Sequence, residues 1–274
     1  MVVVDVQRQG PATGSATQGA EGDIQFARWG TSGGLPVIAL SPASVGEAYR
    51  LTYLAFNFAE RYRAPVFLLT NKEVGMTRES VDADALIPPP AVDRAGLADG
   101  RPFLPFSPSP GREVPGFAPM GGPIPVRQTS STHGPDGYIT TDPEVIARTQ
   151  ARLRDKILGH AGQLARWETR MVPEAETLII TYGVTARAAR DARDRLTRDG
   201  RPVSLLILKT LWPVPTDLIR KSASGVRRVV VAEMNLGQYD REVARLLPDC
   251  EIRQVGRMDG QLVSPEEIMA VVGS

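Results

Sequence analysis

Residues 36–71, PVIALSPASVGEAYRLTYLAFNFAERYRAPVFLLTN, decide the fold. The run PVIAL is short and apolar and is followed by Ser41 and Pro42, the pattern of a buried strand ending in a turn. Ser44 then stands as a helix N-cap with Glu47 three residues on, the spacing of a capping box. Ala48, Leu51, Leu54, Ala55 and Phe58 recur at i, i+3 and i+4, which predicts a helix over 44–63 with one apolar face. APVFLLTN, residues 64–71, is a second apolar strand. Strand, long helix, strand reads as a right-handed βαβ unit over a parallel sheet.

Working outward, Met1-Val2-Val3-Val4-Asp5-Val6 is apolar and β-branched, the composition of a strand inside a parallel sheet. RQGPATGSATQGAEGD, residues 8–23, leaves its carboxyl end, where open α/β sheets place their ligands. Glycines at 10, 14, 19 and 22 permit close backbone approach, and Thr13, Ser15 and Thr17 offer hydroxyls. The loop is neither a P-loop nor a GxGxxG fingerprint. Arg8 at its mouth is suited to grip a carboxylate in a bidentate fork; the alternative is a surface ion pair of small worth.

Downstream, residues 88–141 carry most of the 23 prolines and exclude regular structure. Phe103, Leu104, Phe106, Phe117, Met120 and Ile124 are too apolar for a solvated linker, so an ordered excursion packed on a neighbouring subunit is expected. A helix is expected from 142 or 143 to about 167. Beyond it, ETLIITYG, PVSLLILKTLWPVP, VRRVVVAEMN and CEIRQVG alternate with helical patterns, as in a second α/β unit.

The whole chain has 274 residues, 42% hydrophobic and 23% charged, with a net charge of +1, which gives no electrostatic reason to expect nucleic acid or an anionic membrane as partner. Cys250 is the single cysteine, so neither a disulfide nor a cysteine-ligated cluster can form within the chain, a usage that suits the cytoplasm. His133 and His160 are far apart in sequence and are expected in loops or on the surface. No stretch reaches the ~20 apolar residues of a membrane span, and the N-terminus lacks the order of a signal peptide.

Seven further positions are candidates. Gly183 ends a strand before a helix whose first amides could face an anion, or is a plain turn. Glu233, Asn235 and Gln238 are polar residues at a strand end, suited to chemistry or, preferably, to a hydrogen-bonded interface. Lys72, Glu73 and Arg78 follow the strand ending at Asn71 and are site-facing groups or a solvated loop.

DVQRQGPATGSATQGAEGDIQFARWGTSG, the βαβ stretch with its continuation KEVGMTRESV, and LIITYGVTARAARDA, LKTLWPVP and VVVAEMNLGQ together resemble the α subunit of 2-oxoacid:ferredoxin oxidoreductases, in order and over nearly the whole length. GAEGD and RWGTSG are most similar to the 2-oxoglutarate or branched-chain 2-oxoacid enzymes. The resemblance implies an α/β fold: an incomplete thiamine-diphosphate pyrimidine-type domain plus a transketolase C-terminal-like α/β domain. Residues 1–87 would form the C-terminal half of the pyrimidine-binding-type domain, 88–172 the proline-rich excursion and linker helix, and 173–274 the transketolase C-terminal-like domain. It implies CoA-dependent oxidative decarboxylation of a 2-oxoacid to acyl-CoA, carbon dioxide and reduced ferredoxin, only with partner subunits and with thiamine diphosphate as cofactor. A β subunit would hold the diphosphate and Mg²⁺, [4Fe-4S] clusters would lie in partner subunits, and γ and ferredoxin-like subunits are expected. Arg8 matches the family's carboxylate-binding arginine, with Gly10, Thr13 and Gly14 shaping the substrate pocket. No catalytic residue is assigned to this chain. Lys72, Glu73, Gly183, Glu233, Asn235 and Gln238 would lie near the cofactor or at an interface.

Two departures stand out. Gln9 and Ala12 replace a glycine and a serine of the usual RGGPSTG. The sequence also starts after the family's N-terminal segment with the cofactor-activating glutamate, for which Glu21, Glu47 and Glu73 are no convincing stand-ins. A separate polypeptide completing the first domain is therefore expected, with a mis-assigned start or an inactive relative as alternatives. A non-catalytic scaffold subunit and a different thiamine-diphosphate enzyme component are the competing functional readings.

Overall fold

A computed structural model describes residues 1–94, 96–97, 103–108 and 113–274. In chain order the elements are β1 (Val2–Gln7), α1 (Ile24–Trp29), β2 (Ile38–Leu40), α2 (Val45–Tyr62), β3 (Val66–Asn71), α3 (Lys72–Met76), α4 (Pro143–Leu158), α5 (Ala161–Leu164), β4 (Trp167–Arg170), β5 (Thr177–Tyr182), α6 (Ala186–Arg198), β6 (Ser204–Leu208), β7 (Thr210–Trp212), α7 (Thr216–Ser222), β8 (Arg228–Glu233), α8 (Asp240–Leu246), β9 (Glu251–Gly256) and α9 (Pro265–Gly273).

The βαβ unit forms as the sequence predicts. Glu47 N–H donates to Ser44 Oγ at 3.2 Å, while the Glu47 carboxylate reaches past the cap to accept from Ala43 N–H at 2.9 Å. The helix ends where Arg63 turns left-handed at φ 42°. Its buried stripe, Leu51, Ala55, Phe58, Ala59 and Tyr62, packs with Ile157 and Leu164 over one face of a sheet ordered β1-β3-β2-β7. β1, β3 and β2 run parallel, in register from Val2 opposite Val66 to Gln7 opposite Asn71.

The second sheet, ordered β4-β6-β5-β8-β9, is parallel except for β4. Ile179, Leu205, Ile207 and Val230 on one face meet α6 and α9. Leu178, Ile180, Leu206 and Val229 on the other join Ala39, Leu69 and Trp212 of the first sheet in one continuous core. The two sheets are thereby halves of one packed body.

β1 is an edge strand of this chain, as expected of an open first strand: among the described residues it pairs with β3 alone, and Val4 and Val6 are each 56% exposed. Two local expectations change. The expected helix to 167 stops at Leu158, and Trp167 begins β4, which lies before residue 173 yet belongs to the second sheet. The single strand expected over PVSLLILKTLW divides at Lys209, so that β7 crosses into the first sheet against β2. Described parts of the proline-rich excursion pack on this same chain: Asn57 bonds Pro90 O and Val92 N, Arg63 donates to Pro115 O at 3.1 Å, and Val114 and Ala118 are buried. Residues 95, 98–102 and 109–112 of that excursion lie outside the described residues.

Candidate functional site

β1 and β3 are parallel neighbours, so the loop after Gln7 and the helix after Asn71 leave the same end of the first sheet. The carboxyl ends of β5 and β8 in the second sheet meet them there. Asn71 caps α3 by accepting from Val74 N–H at 3.0 Å, and its amide donates to Glu21 Oε1 at 3.1 Å. Val184 N–H, just past β5, donates to the same oxygen at 2.9 Å. Past β8, Asn235 donates to Glu21 O at 2.9 Å and to the Tyr182 hydroxyl at 2.7 Å, and that hydroxyl donates to Glu233 at 2.6 Å. Glu233 also accepts from the Tyr239 and Asp240 amides. Gln238 donates to Gly22 O and accepts from Gln25 N–H.

Burial governs the electrostatics. It pushes the Glu21 carboxyl up to about 8, against the Val184 amide and with the nearby Glu233 and Glu73 adding to the rise. Burial raises Glu233 as well, opposed by the donors from Tyr182, Tyr239 and Asp240, and holds the Tyr182 phenol well above its ordinary range.

Of the residues predicted from sequence, Gly183, Glu233, Asn235 and Gln238 come together, but as a seam between the two sheets of one chain. Lys72 and Glu73 lie against the same loop: Lys72 donates to Thr17 O, and Glu73 fills the space beside Gly19. Both line a groove of about 320 Å³ with Met76, Val184, Thr185 and Arg187. Arg78 is exposed and does not line it. Arg8 is exposed beyond β1, its backbone bridged to Gly19, and among the described residues its guanidinium has no carboxylate partner. Thr13, in the same loop, is exposed. Gly14 is required by contact, since at φ 58° an added Cβ would stand 1.9 Å from Gln9 O, whereas a Cβ at Gly10 would meet nothing within 4 Å. His160 pairs with Glu113 and packs on Tyr62, and His133 lies against Phe106, so both are loop residues outside the seam.

Sequence reasoning weighed Glu21 only as a substitute for a missing glutamate and passed over Asn71 and Tyr182. One local signal was present: an acid between Ala20 and Gly22, two residues small enough to let it sink into a core.

Residues 1–149 match the thiamine-diphosphate-binding domain of pyruvate flavodoxin/ferredoxin oxidoreductases, and 175–268 match core domain II of pyruvate:ferredoxin oxidoreductase. This chain belongs to the 2-oxoacid:ferredoxin oxidoreductase family as an α-type subunit. It is 37% identical over 277 residues to 2-oxoglutarate synthase subunit KorA of Methanocaldococcus jannaschii, covering 99% of this chain and 73% of that one. It is 30% identical over 270 residues to ketoisovalerate oxidoreductase subunit VorB of Methanothermobacter thermautotrophicus, covering 98% and 68%. The 2-oxoglutarate:ferredoxin oxidoreductase of Magnetococcus marinus, solved with 2-oxoglutarate, coenzyme A and succinyl-CoA bound, matches with a TM-score of 0.81 at 26% identity. That match covers 99% of this α-type chain and 48% of the solved one. Among the described residues no helix is long and apolar enough to cross a membrane.

Proposed function

We propose that this chain binds the substrate carboxylate within a cytoplasmic 2-oxoacid:ferredoxin oxidoreductase that converts a 2-oxoacid, coenzyme A and oxidised ferredoxin to an acyl-CoA, carbon dioxide and reduced ferredoxin. The observation that carries it is Arg8: an exposed guanidinium with no carboxylate partner among the described residues, at the carboxyl end of a parallel strand, its backbone held by the Gly19 bridge. A bidentate grip orients the substrate by its carboxylate, the group that leaves as carbon dioxide, so the side chain binds and positions. Gly14 and Thr13 shape the wall around it. The 2-oxoglutarate reading is favoured over the branched-chain one by 37% against 30% identity to relatives so named.

Thiamine diphosphate, when bound in the assembled enzyme, supplies the carbanion chemistry. The residues of this chain do not fit its diphosphate and Mg²⁺: among the described residues no three His, Cys, Asp or Glu side chains converge. The three glutamates weighed for its aminopyrimidine each have a partner in this chain: Glu21 Oε1 is held by Asn71 and Val184, Glu47 is paired with Lys209, and Glu73 packs between Lys72 and Gly19. As the family resemblance implies, the diphosphate, Mg²⁺ and [4Fe-4S] clusters belong to a β subunit and further γ and ferredoxin-like partners, with activity only in the complex.

The test is the iron–sulfur absorbance of the purified complex. Bleaching by 2-oxoglutarate plus coenzyme A, faster than by a branched-chain 2-oxoacid or pyruvate, is the expected result. No bleaching by any 2-oxoacid would mark a scaffold subunit, and reduction of NAD in place of ferredoxin a different thiamine enzyme.

A further inference from the structure

Glu21 is 1% exposed, yet it touches the ends of three strands from both sheets. Its side chain accepts from Asn71 at the end of β3 and from Val184 after β5, its carbonyl accepts from Asn235 after β8, and its own N–H donates to Met234 O at 2.9 Å. Room for the carboxyl comes from Gly183, where an added Cβ would stand 1.8 Å from Glu21 Oε1. The Arg8–Gly19 bridge joins the backbone of the binding arginine to a point two residues from this anchor.

We propose that Glu21 is the positioning residue of the site: it clamps residues 8–22 to the carboxyl ends of β3, β5 and β8 and thereby sets where the Arg8 guanidinium stands. The functional half of this rests on the carboxylate-binding reading of Arg8; the clamp itself does not.

The clamp works in its neutral form. Both donors converge on Oε1, while Oε2 is buried with no hydrogen-bond partner, so a carboxylate there would be half-satisfied. The titratable groups around it add to that cost. Glu73 on α3 and Glu233 at the end of β8 are acids, Tyr182 on β5 is a neutral phenol, and the cation on α3, Lys72, is turned to Glu73 and Thr17 O. Because the folded-state pKa lies near 8, above the ordinary 4.5, the clamp stays protonated up to about pH 8, while the stability it contributes is full at acid pH, falls as pH rises from about 4.5 and is lost above about 8.

The experiment uses the assembled oxidoreductase with Glu21→Gln, Glu21→Ala and Arg8→Ala, reading KM for the 2-oxoacid, kcat and the thermal midpoint between about pH 6 and 9.5. Gln keeps the Oε1 acceptor and cannot ionise. Wild-type KM is expected to rise and the midpoint to fall through about pH 8. Glu21→Gln retains the acid-side KM and flattens both profiles, and Glu21→Ala raises KM about tenfold. A Gln variant that follows the wild-type profiles, or an Ala variant with unchanged KM, overturns the clamp, and the Gln arm decides if the Ala variant fails to assemble. A flattened midpoint in Glu21→Gln beside an unchanged KM in Arg8→Ala upholds the clamp and refutes the carboxylate role. The reverse pair of results refutes the clamp and keeps Arg8.

Discussion

Two buried glutamates in the seam are held in opposite ways. Glu233 receives the Tyr182 hydroxyl and two backbone amides, shared between both its oxygens, whereas Glu21 receives two donors on one oxygen and none on the other. The difference follows from backbone supply: Glu233 faces the free amides opening α8, and Glu21 reaches across to another sheet. Gly183 makes that reach possible, and Gly183→Ala combines a positive φ of 54° with a collision against Glu21. It is expected to destabilise by about 1–3 kcal/mol, read by denaturant unfolding beside a substitution at the open Gly10 that costs much less. The place of Arg8 was legible in sequence because that argument is local: a guanidinium after an apolar strand. Glu21 was not, because its partners lie 50, 163 and 214 residues away.

At the level of elements, the βαβ unit was legible because cap, stripe and strand runs all agree within one window. Ser44→Ala is expected to cost about 1 kcal/mol by unfolding, with Ser44→Asp retaining most of it, since Asp also accepts from the Glu47 amide. β4 was missed because WETR is four residues of edge strand with alternating exposure, too short and polar to show a period. β7 was missed for another reason: an apolar run reads the same whichever sheet it joins, and the crossing shows in the pairing of β7 with β2 and in Lys209 O accepting from Ser41 N–H. β1 was legible as a strand from its composition, which reports the faces that want burial and not how many neighbours a strand has.

Across the whole molecule, the crossing at β7 carries an ion network that fastens α2 to the second sheet. Lys209 pairs with Glu47, whose side chain is 8% exposed, and lies 3.8 Å from Glu168 of β4, which Arg190 of α6 holds at 2.7 Å. Removing the cation leaves a buried carboxylate short of its partner. Lys209→Met is expected to destabilise by about 3 kcal/mol in chemical denaturation, and Lys209→Met with Glu47→Gln to recover part of it. The shared core and this network hold the strand ends of both sheets in one place, and the loop bearing Arg8 issues from there. The most direct test is therefore steady-state kinetics of the assembled oxidoreductase carrying Arg8→Ala. A rise in KM for the 2-oxoacid of about 10- to 100-fold, with KM for coenzyme A unchanged, is the predicted result. Unchanged KM and kcat for the 2-oxoacid would contradict it.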